Sequence, residues 1–196
     1  MRKLVLSFFL LAVCAPAALA QSDYNKLDVF AGFSHNRVDT GIGNDDPDLD
    51  DIVNEREGFN GFNVSVAGNV SRYVGLKADY AYHRKTLNVD DGVDFFEIKS
   101  SLHNLVGGVQ LKDNAKDTKV RPFAHAMVGV AHATISENTF DISESETGLA
   151  GVFGGGIDIR VSKRVDFRVV QFDYNPTRLG GETQHNFRVG IGLVFR

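Results

Sequence analysis

Along residues 187–196 apolar side chains alternate with small or polar ones without a break. Phe187, Val189, Ile191, Leu193 and Phe195 fall on one side, and Arg188, Gly190, Gly192, Val194 and Arg196 on the other. A strand has period two, so this segment predicts a strand with one greasy and one lean face. Seven more segments carry the same period. Residues 25–37 align Leu27, Val29, Ala31 and Phe33, and residues 59–69 set Phe62, Val64 and Val66 against Asn63, Ser65 and Ala67. Over 73–85, Val74, Leu76, Ala78, Tyr80 and Tyr82 oppose Gly75, Lys77, Asp79, Ala81 and His83. Residues 96–111 have a mixed first half, then bring Leu105, Gly107, Val109 and Leu111 into phase. Residues 120–133 open with Pro122, tolerated at a strand start, and their two faces are too alike to orient.

Residues 149–161 carry Gly154-Gly155-Gly156, then Ile157, Ile159 and Val161 against Asp158 and Arg160. Residues 164–175 change phase midway: Val165 and Phe167 oppose Asp166 and Arg168, but further on Gln171 and Asp173 oppose Phe172 and Tyr174. One extra residue near Val169-Val170 returns all four polar side chains to one side, which predicts a β-bulge there.

The connections after the second, fourth and sixth segments are short, about 70–72, 112–119 and 162–163. Those after the first, third, fifth and seventh are longer and mostly acidic, with 38–57 the longest. An even strand number with short turns on one rim and long loops on the other marks an outer-membrane barrel. The expected fold is all-β: an eight-stranded antiparallel up-and-down transmembrane β-barrel, both termini on the short-turn, periplasmic side.

The first twenty residues support export. Arg2 and Lys3 precede an apolar stretch, Leu4 to Val13, and Ala18-Leu19-Ala20 offers small residues where a signal peptidase reads. That stretch is too short to span a bilayer as a helix. The expected organisation is a signal peptide over 1–20 and one outer-membrane β-barrel domain over 21–196. A rival lipoprotein box ends at Cys14, but Val13 before it is not small. Cys14 is the only cysteine, so the processed chain would hold no disulfide and no thiolate metal site. After the leader no window of eighteen apolar residues predicts a transmembrane helix.

Twenty glycines and fifteen phenylalanines suit a closed antiparallel sheet. Without Arg2 and Lys3 the chain carries 19 basic and 25 acidic residues, a formal charge of −6, which argues against a nucleic-acid partner. Alternation alone does not say which face is inside. A soluble periplasmic ligand-binding β-barrel would turn its apolar face inward. The export signal, the loop rhythm and the aromatic-rich last strand favour lipid, where closure pairs every backbone group. Lys77, Asp79, His83, Asp158, Arg160, Arg168 and Arg188 then point into a lumen just wide enough for side chains to fill. They are expected to pair as a connected network, because an unpaired buried charge is expensive.

The chain resembles the small outer-membrane β-barrel proteins of the eight-stranded, OmpA-like type. The resemblance is carried by Val29-Phe30-Ala31-Gly32-Phe33-Ser34, Pro122-Phe123-Ala124-His125-Ala126, Gly154-Gly155-Gly156-Ile157-Asp158, Gln171-Phe172-Asp173-Tyr174 and Phe187 to Phe195. It implies a barrel inserted by the barrel-assembly machinery, in contact with outer-membrane lipid and lipopolysaccharide, and acting as a monomer. The aromatic that the family usually carries last stands here at Phe195, followed by Arg196. No peptidoglycan-binding domain follows, so that role of longer relatives is not implied.

Candidate chemistry is sparse. Asp46, Asp48, Asp50 and Glu57 occupy positions one, three, five and twelve of a calcium-loop pattern, but Asp51 stands where its sharp turn needs glycine, and Pro47 sits at position two. A solvated acidic loop is the preferred reading. His125 and His132, seven apart, fall on opposite faces of a regular strand, and His35, His83, His103 and His185 are scattered, so no zinc site is expected. A lipid A-modifying enzyme would need a serine, a histidine and an orienting carboxylate on the outer wall. Ser100, Ser101, His103 and Glu97 are the nearest match. Gly154-Gly155-Gly156 lacks the Lys-Ser/Thr and the helix of a phosphate loop. No catalytic, cofactor-binding or metal residue is assigned. The expected role is structural or surface-interacting, with a small diffusion pore as the alternative.

Eight carboxylates between Asp39 and Glu57 face only Arg56. Calorimetry should therefore detect only weak, non-stoichiometric calcium binding. A single site tighter than about 10⁻⁵ M would overturn that expectation.

Overall fold

Backbone pairing carries the sheet around until it meets itself. The computed structural model describes residues 23–39, 56–90, 95–137 and 142–196. Among them, eight strands follow in chain order: β1 Leu27–Asp39, β2 Arg56–Asn69, β3 Val74–Asp90, β4 Phe95–Lys112, β5 Val120–Glu137, β6 Ile142–Arg160, β7 Val165–Leu179 and β8 Glu182–Phe195. Each pairs antiparallel with the next, and β8 returns to β1, closing the barrel. The leader over 1–20, Cys14 within it, and Asp46, Asp48 and Asp50 lie outside the described residues.

Crossing the strands from partner to partner defines the stagger. The path from Arg37 runs through Phe187, Tyr174, Phe153, Ala126, Val109, Leu76 and Gly68 to Leu27, ten residues from its start on the same strand. Ten residues over eight strands means a tilt of roughly 40°.

The alternation sorts as expected for lipid outside. Phe33, Leu76, Leu105, Phe172 and Ile191 are exposed, whereas Ser34, Asp79, Asn104 and Arg188 are buried in the lumen. The ambiguous fifth segment takes one orientation: Arg121, Phe123, His125 and Met127 point inward and Ala124, Ala126 and Val128 outward. The predicted bulge is present. Arg168 pairs with Gly192 but Gln171 with Gly190, and Val169 and Val170 both face out.

The loop rhythm needs correction. Residues 176–186 do not form a long loop: β7 and β8 continue to Leu179 and Glu182, joined by Gly180 and Gly181 at φ 64° and 85°. Positive φ at both positions is the geometry that glycine supplies at a tight hairpin turn. Similarly, β3 runs on to Asp90 before β4 begins at Phe95, and β5 to Glu137 before β6 begins at Ile142. The ladder depends on backbone groups alone. Beyond the lipid band both faces accept polar side chains, so pairing continues where the apolar period stops.

Two short turns are built alike, Val70-Ser71-Arg72-Tyr73-Val74 and Val161-Ser162-Lys163-Arg164-Val165. In each, both residues before the bend donate backbone N–H to the closing valine carbonyl, and the serine Oγ accepts from that valine's N–H. Arg72 Nε also donates to Asp113 at 2.9 Å, and this partner holds the Asp113 carboxyl well below the usual carboxylate range.

Deleting Val170 removes the bulge and leaves Asp166, Arg168, Gln171 and Asp173 in strict alternation on the inward face. The deletion should therefore retain the heat-modifiable folded band on unheated gels, whereas Val170→Asp, which puts a charge on the lipid face, should weaken it. Loss of the band in the deletion variant would contradict the assigned phase.

Candidate functional site: the barrel interior

The site begins with which residues alternate inward. On β7 the bulge brings Asp166, Arg168, Gln171 and Asp173 onto one face, and β8 presents Arg188 beside Asp173. Arg168 lies between two rings, 4.2 Å from the Phe30 centroid and 4.1 Å from that of Phe123. Its Nε donates to Asp158 at 2.8 Å and its Nη1 to Gln171 at 2.6 Å. Gln171 donates onward to Asp173 at 2.6 Å.

Asp173 is a junction. It accepts from Arg188 Nη2 at 2.7 Å and lies 3.0 Å from His125 Nε2. Arg188 Nη1 reaches across to Asp79 at 3.1 Å, and Lys77 Nζ stands 3.7 Å from the other Asp79 oxygen. Nearer the short-turn rim, Lys112 bridges Asp28 at 3.0 Å and Asp158 at 2.7 Å. Arg121 pairs with Asp166 at 2.7 Å, and Arg196 lies 3.3 Å from Asp28 and 3.6 Å from Asp166. Within the central set Lys77, Lys112, Arg168 and Arg188 balance Asp28, Asp79, Asp158 and Asp173, so deep burial leaves no net charge there. Opposite charges with several hydrogen bonds each offset the loss of water.

Small residues make this packing fit. A Cβ at Gly156 would stand 2.8 Å from the Phe123 ring, and one at Gly154 would collide with Asp173 Oδ1. Gly156 and Gly154 thus make room for the cation sandwich and the carboxylate junction. Toward the long-loop rim the lumen becomes apolar, where Val38, Phe59, Leu102, Ala131 and Leu179 belong to one buried cluster with Val106, Met127 and Val152.

Of the seven residues expected in the lumen, Lys77, Asp79, His83, Asp158, Arg168 and Arg188 are buried there. Arg160 corrects the expected network. It is only half-buried, its Nε has no hydrogen-bond partner, and it lines a cleft at the short-turn rim with Lys116, Lys163 and Arg196. At the last residue of β6 it stands opposite Asp166 on β7, whose carboxylate is taken by Arg121 and Arg196 instead. Alternation missed Asp28 and Lys112, although each sits opposite in phase to an apolar neighbour. It also missed Arg121 and His125, whose strand had faces too similar to sort.

The other candidates separate. Ser101 and His103 share the outer face of β4, whereas Ser100 takes the other face, and the Glu97 side chain lies outside the described residues. His103 Nδ1 is 2.8 Å from the Tyr80 hydroxyl, and its ring lies 4.7 Å from that of Tyr82. It belongs to an aromatic band on the outer wall with Phe62 and His132. Glu57, twelfth in the calcium-loop pattern, pairs with Lys85 at 2.7 Å. His125 points inward and His132 outward. Among the described residues no three His, Cys, Asp or Glu side chains form a metal-holding group.

Arg188→Met leaves Asp79 and Asp173 buried together and should cost about 3–5 kcal/mol in urea unfolding. Arg160→Met, outside the network, should change stability by less than about 1 kcal/mol. Equal losses in the two variants would refute this ranking.

No curated protein sequence matches the chain. Solved structures do. Ail, the attachment invasion locus protein of Yersinia pestis, solved in complex with the heparin analogue sucrose octasulfate, is 18% identical with a TM-score of 0.58, over 87% of this chain and 98% of Ail. Neisserial surface protein A is 12% identical with a TM-score of 0.61, over 86% of this chain and 96% of its own. The outer membrane protein OprG of Pseudomonas aeruginosa is 12% identical with a TM-score of 0.51, over 88% and 96%. At these identities the likeness is one of fold. Residues 6–195 match the outer membrane protein beta-barrel domain, and the chain belongs to that family of outer-membrane barrels.

Proposed function

We propose that this protein is a non-catalytic, sealed barrel whose role is structural or surface-interacting. The carrying observation is the double closure of the lumen. A neutral web of buried ion pairs fills its middle and short-turn half, and Val38, Phe59, Leu102 and Leu179 cluster toward the long-loop end. An ion entering must break charge pairs in a confined, poorly hydrated space, which disfavours the diffusion-pore alternative. The lipid A-modifying reading loses support because the Tyr80 hydroxyl, and not a carboxylate, engages His103 Nδ1, although Ser101 shares its face.

The start of β1 and the end of β8 lie at the short-turn rim, which in this reading would face the periplasm once the barrel-assembly machinery has inserted the monomer. Toward the other rim the outer wall carries exposed Arg37, Arg84, Lys99 and Arg178 around the barrel. Guanidinium and ammonium groups at that level suit the phosphates of lipopolysaccharide. The eight carboxylates between Asp39 and Glu57 give the first loop the opposite preference. That loop favours cationic partners and disfavours a polyanion such as the sucrose octasulfate bound to Ail.

In planar bilayers the refolded protein should leave the membrane without steady single-channel current. Reproducible long-lived conductance steps would replace this reading with the diffusion pore.

A further inference from the structure

Between the ion-pair web and the apolar cluster lies a level of unusual chemistry. Asn36 on β1, His83 on β3, Asn104 on β4 and Asn175 on β7 are all fully buried. Both side-chain polar atoms of Asn36, Asn104 and Asn175, and Nδ1 of His83, find no hydrogen-bond partner among the described residues. The stagger of the barrel brings these four residues together. A perpendicular row climbs ten residues in eight strands, and correcting each position for that climb leaves them within about 3 Å of one another in height. They point inward from β1 and β7 on one side and from β3 and β4 on the other.

Buried amides rarely go unpaired, and each asparagine offers two donors and two acceptor positions. Their neighbours at this level are already committed: Ser34 Oγ lies 2.7 Å from His83 Nε2, and Asn186 Nδ2 donates to Thr177 at 3.0 Å. Below, Lys77 and Arg188 balance Asp79 and Asp173. Above, Val38, Phe59, Leu102 and Leu179 offer no polar side-chain atom. A charged ligand would find no net counter-charge, and an apolar one would leave the amides unpaired. The fitting occupant is neutral, small, and both donor and acceptor.

We infer that Asn36, His83, Asn104 and Asn175 line an enclosed polar chamber that holds water, or a water-sized neutral solute of the same hydrogen-bonding chemistry. Seven orphaned polar atoms match on the order of three waters at about three hydrogen bonds each. The enclosure, though not the occupancy, rests on the sealed-barrel reading.

The test uses the whole refolded protein in detergent micelles, with water as the probe. Nuclear Overhauser transfer from water should appear at the Nδ2 protons of Asn36, Asn104 and Asn175, and be weaker at Asn186, whose amide has a protein partner. The signals should survive a bulky paramagnetic chelate added to the solvent. Absence of water contacts at the three amides overturns the chamber, whether or not the bilayer stays silent. Water signals quenched by the chelate overturn the enclosure, and conductance steps alongside them would show that the sealed reading has failed too. Asn104→Leu should weaken the transfer at Asn36 and Asn175, whereas unchanged signals there would count against a shared chamber. If that variant does not fold, the wild-type measurement decides.

Discussion

A backbone in lipid has no solvent to hydrogen-bond, so the sheet must close with every strand paired on both sides. Closure here comes with a ten-residue stagger over eight strands, and that pair of numbers sets the interior width. The interior is too wide to be left unfilled and too narrow for a water-lined channel of porin size. Most of its chemistry follows from those dimensions. Long side chains are needed to reach across, and Arg188 reaches from β8 to Asp79 on β3. The bulge at Val169-Val170 belongs to the same constraint, since it lets β7 keep its pairing with both neighbours and its polar residues inside.

Filling such a space with charge is tolerable only because the charges cancel. Among the described residues, every strand except β2 contributes at least one charged side chain to the buried set. Asp173 and Asp158 each meet more than one donor, and Arg168 is held between Phe30 and Phe123. Glycines opposite these residues supply the space that the rings and carboxylates occupy. The glycine-rich character of the chain and its buried ion pairs are thus one feature seen from two sides.

Much of this could be read from the sequence because a half-lipid, half-lumen strand repeats every second residue. β3 and β8 are unambiguous for that reason, and the phase break in residues 164–175 marks the bulge in the sequence itself. Sequence reading failed where the two faces became chemically similar. Small residues alternate with other small or apolar ones in residues 120–133, which concealed Arg121 and His125. Beyond the lipid band the outward face turns polar while inward residues such as Leu179 are apolar, so the extensions of β3, β5, β6, β7 and β8 lack the period that marks the spanning part. The pairing partners themselves, such as Asp173 for both His125 and Arg188, depend on stagger and side-chain reach. No local pattern encodes them.

The bond from Arg188 to Asp79 joins residues 109 positions apart in the chain. Arg188 meets Asp173 on the neighbouring β7 and Asp79 has Lys77 beside it, but the bond between Arg188 and Asp79 cannot form until β8 has closed against β1. Until then the growing sheet carries carboxylates on the face that will become interior, with water as their natural solvent. Pairs on neighbouring strands, such as Arg168 with Asp158, can form as the sheet grows, whereas those that cross the lumen, Arg188 to Asp79 among them, wait for closure. Chains whose contacts lie far apart fold slowly. For this one, the pairs that cross the lumen tie the last neutralisation of the interior to closure of the barrel.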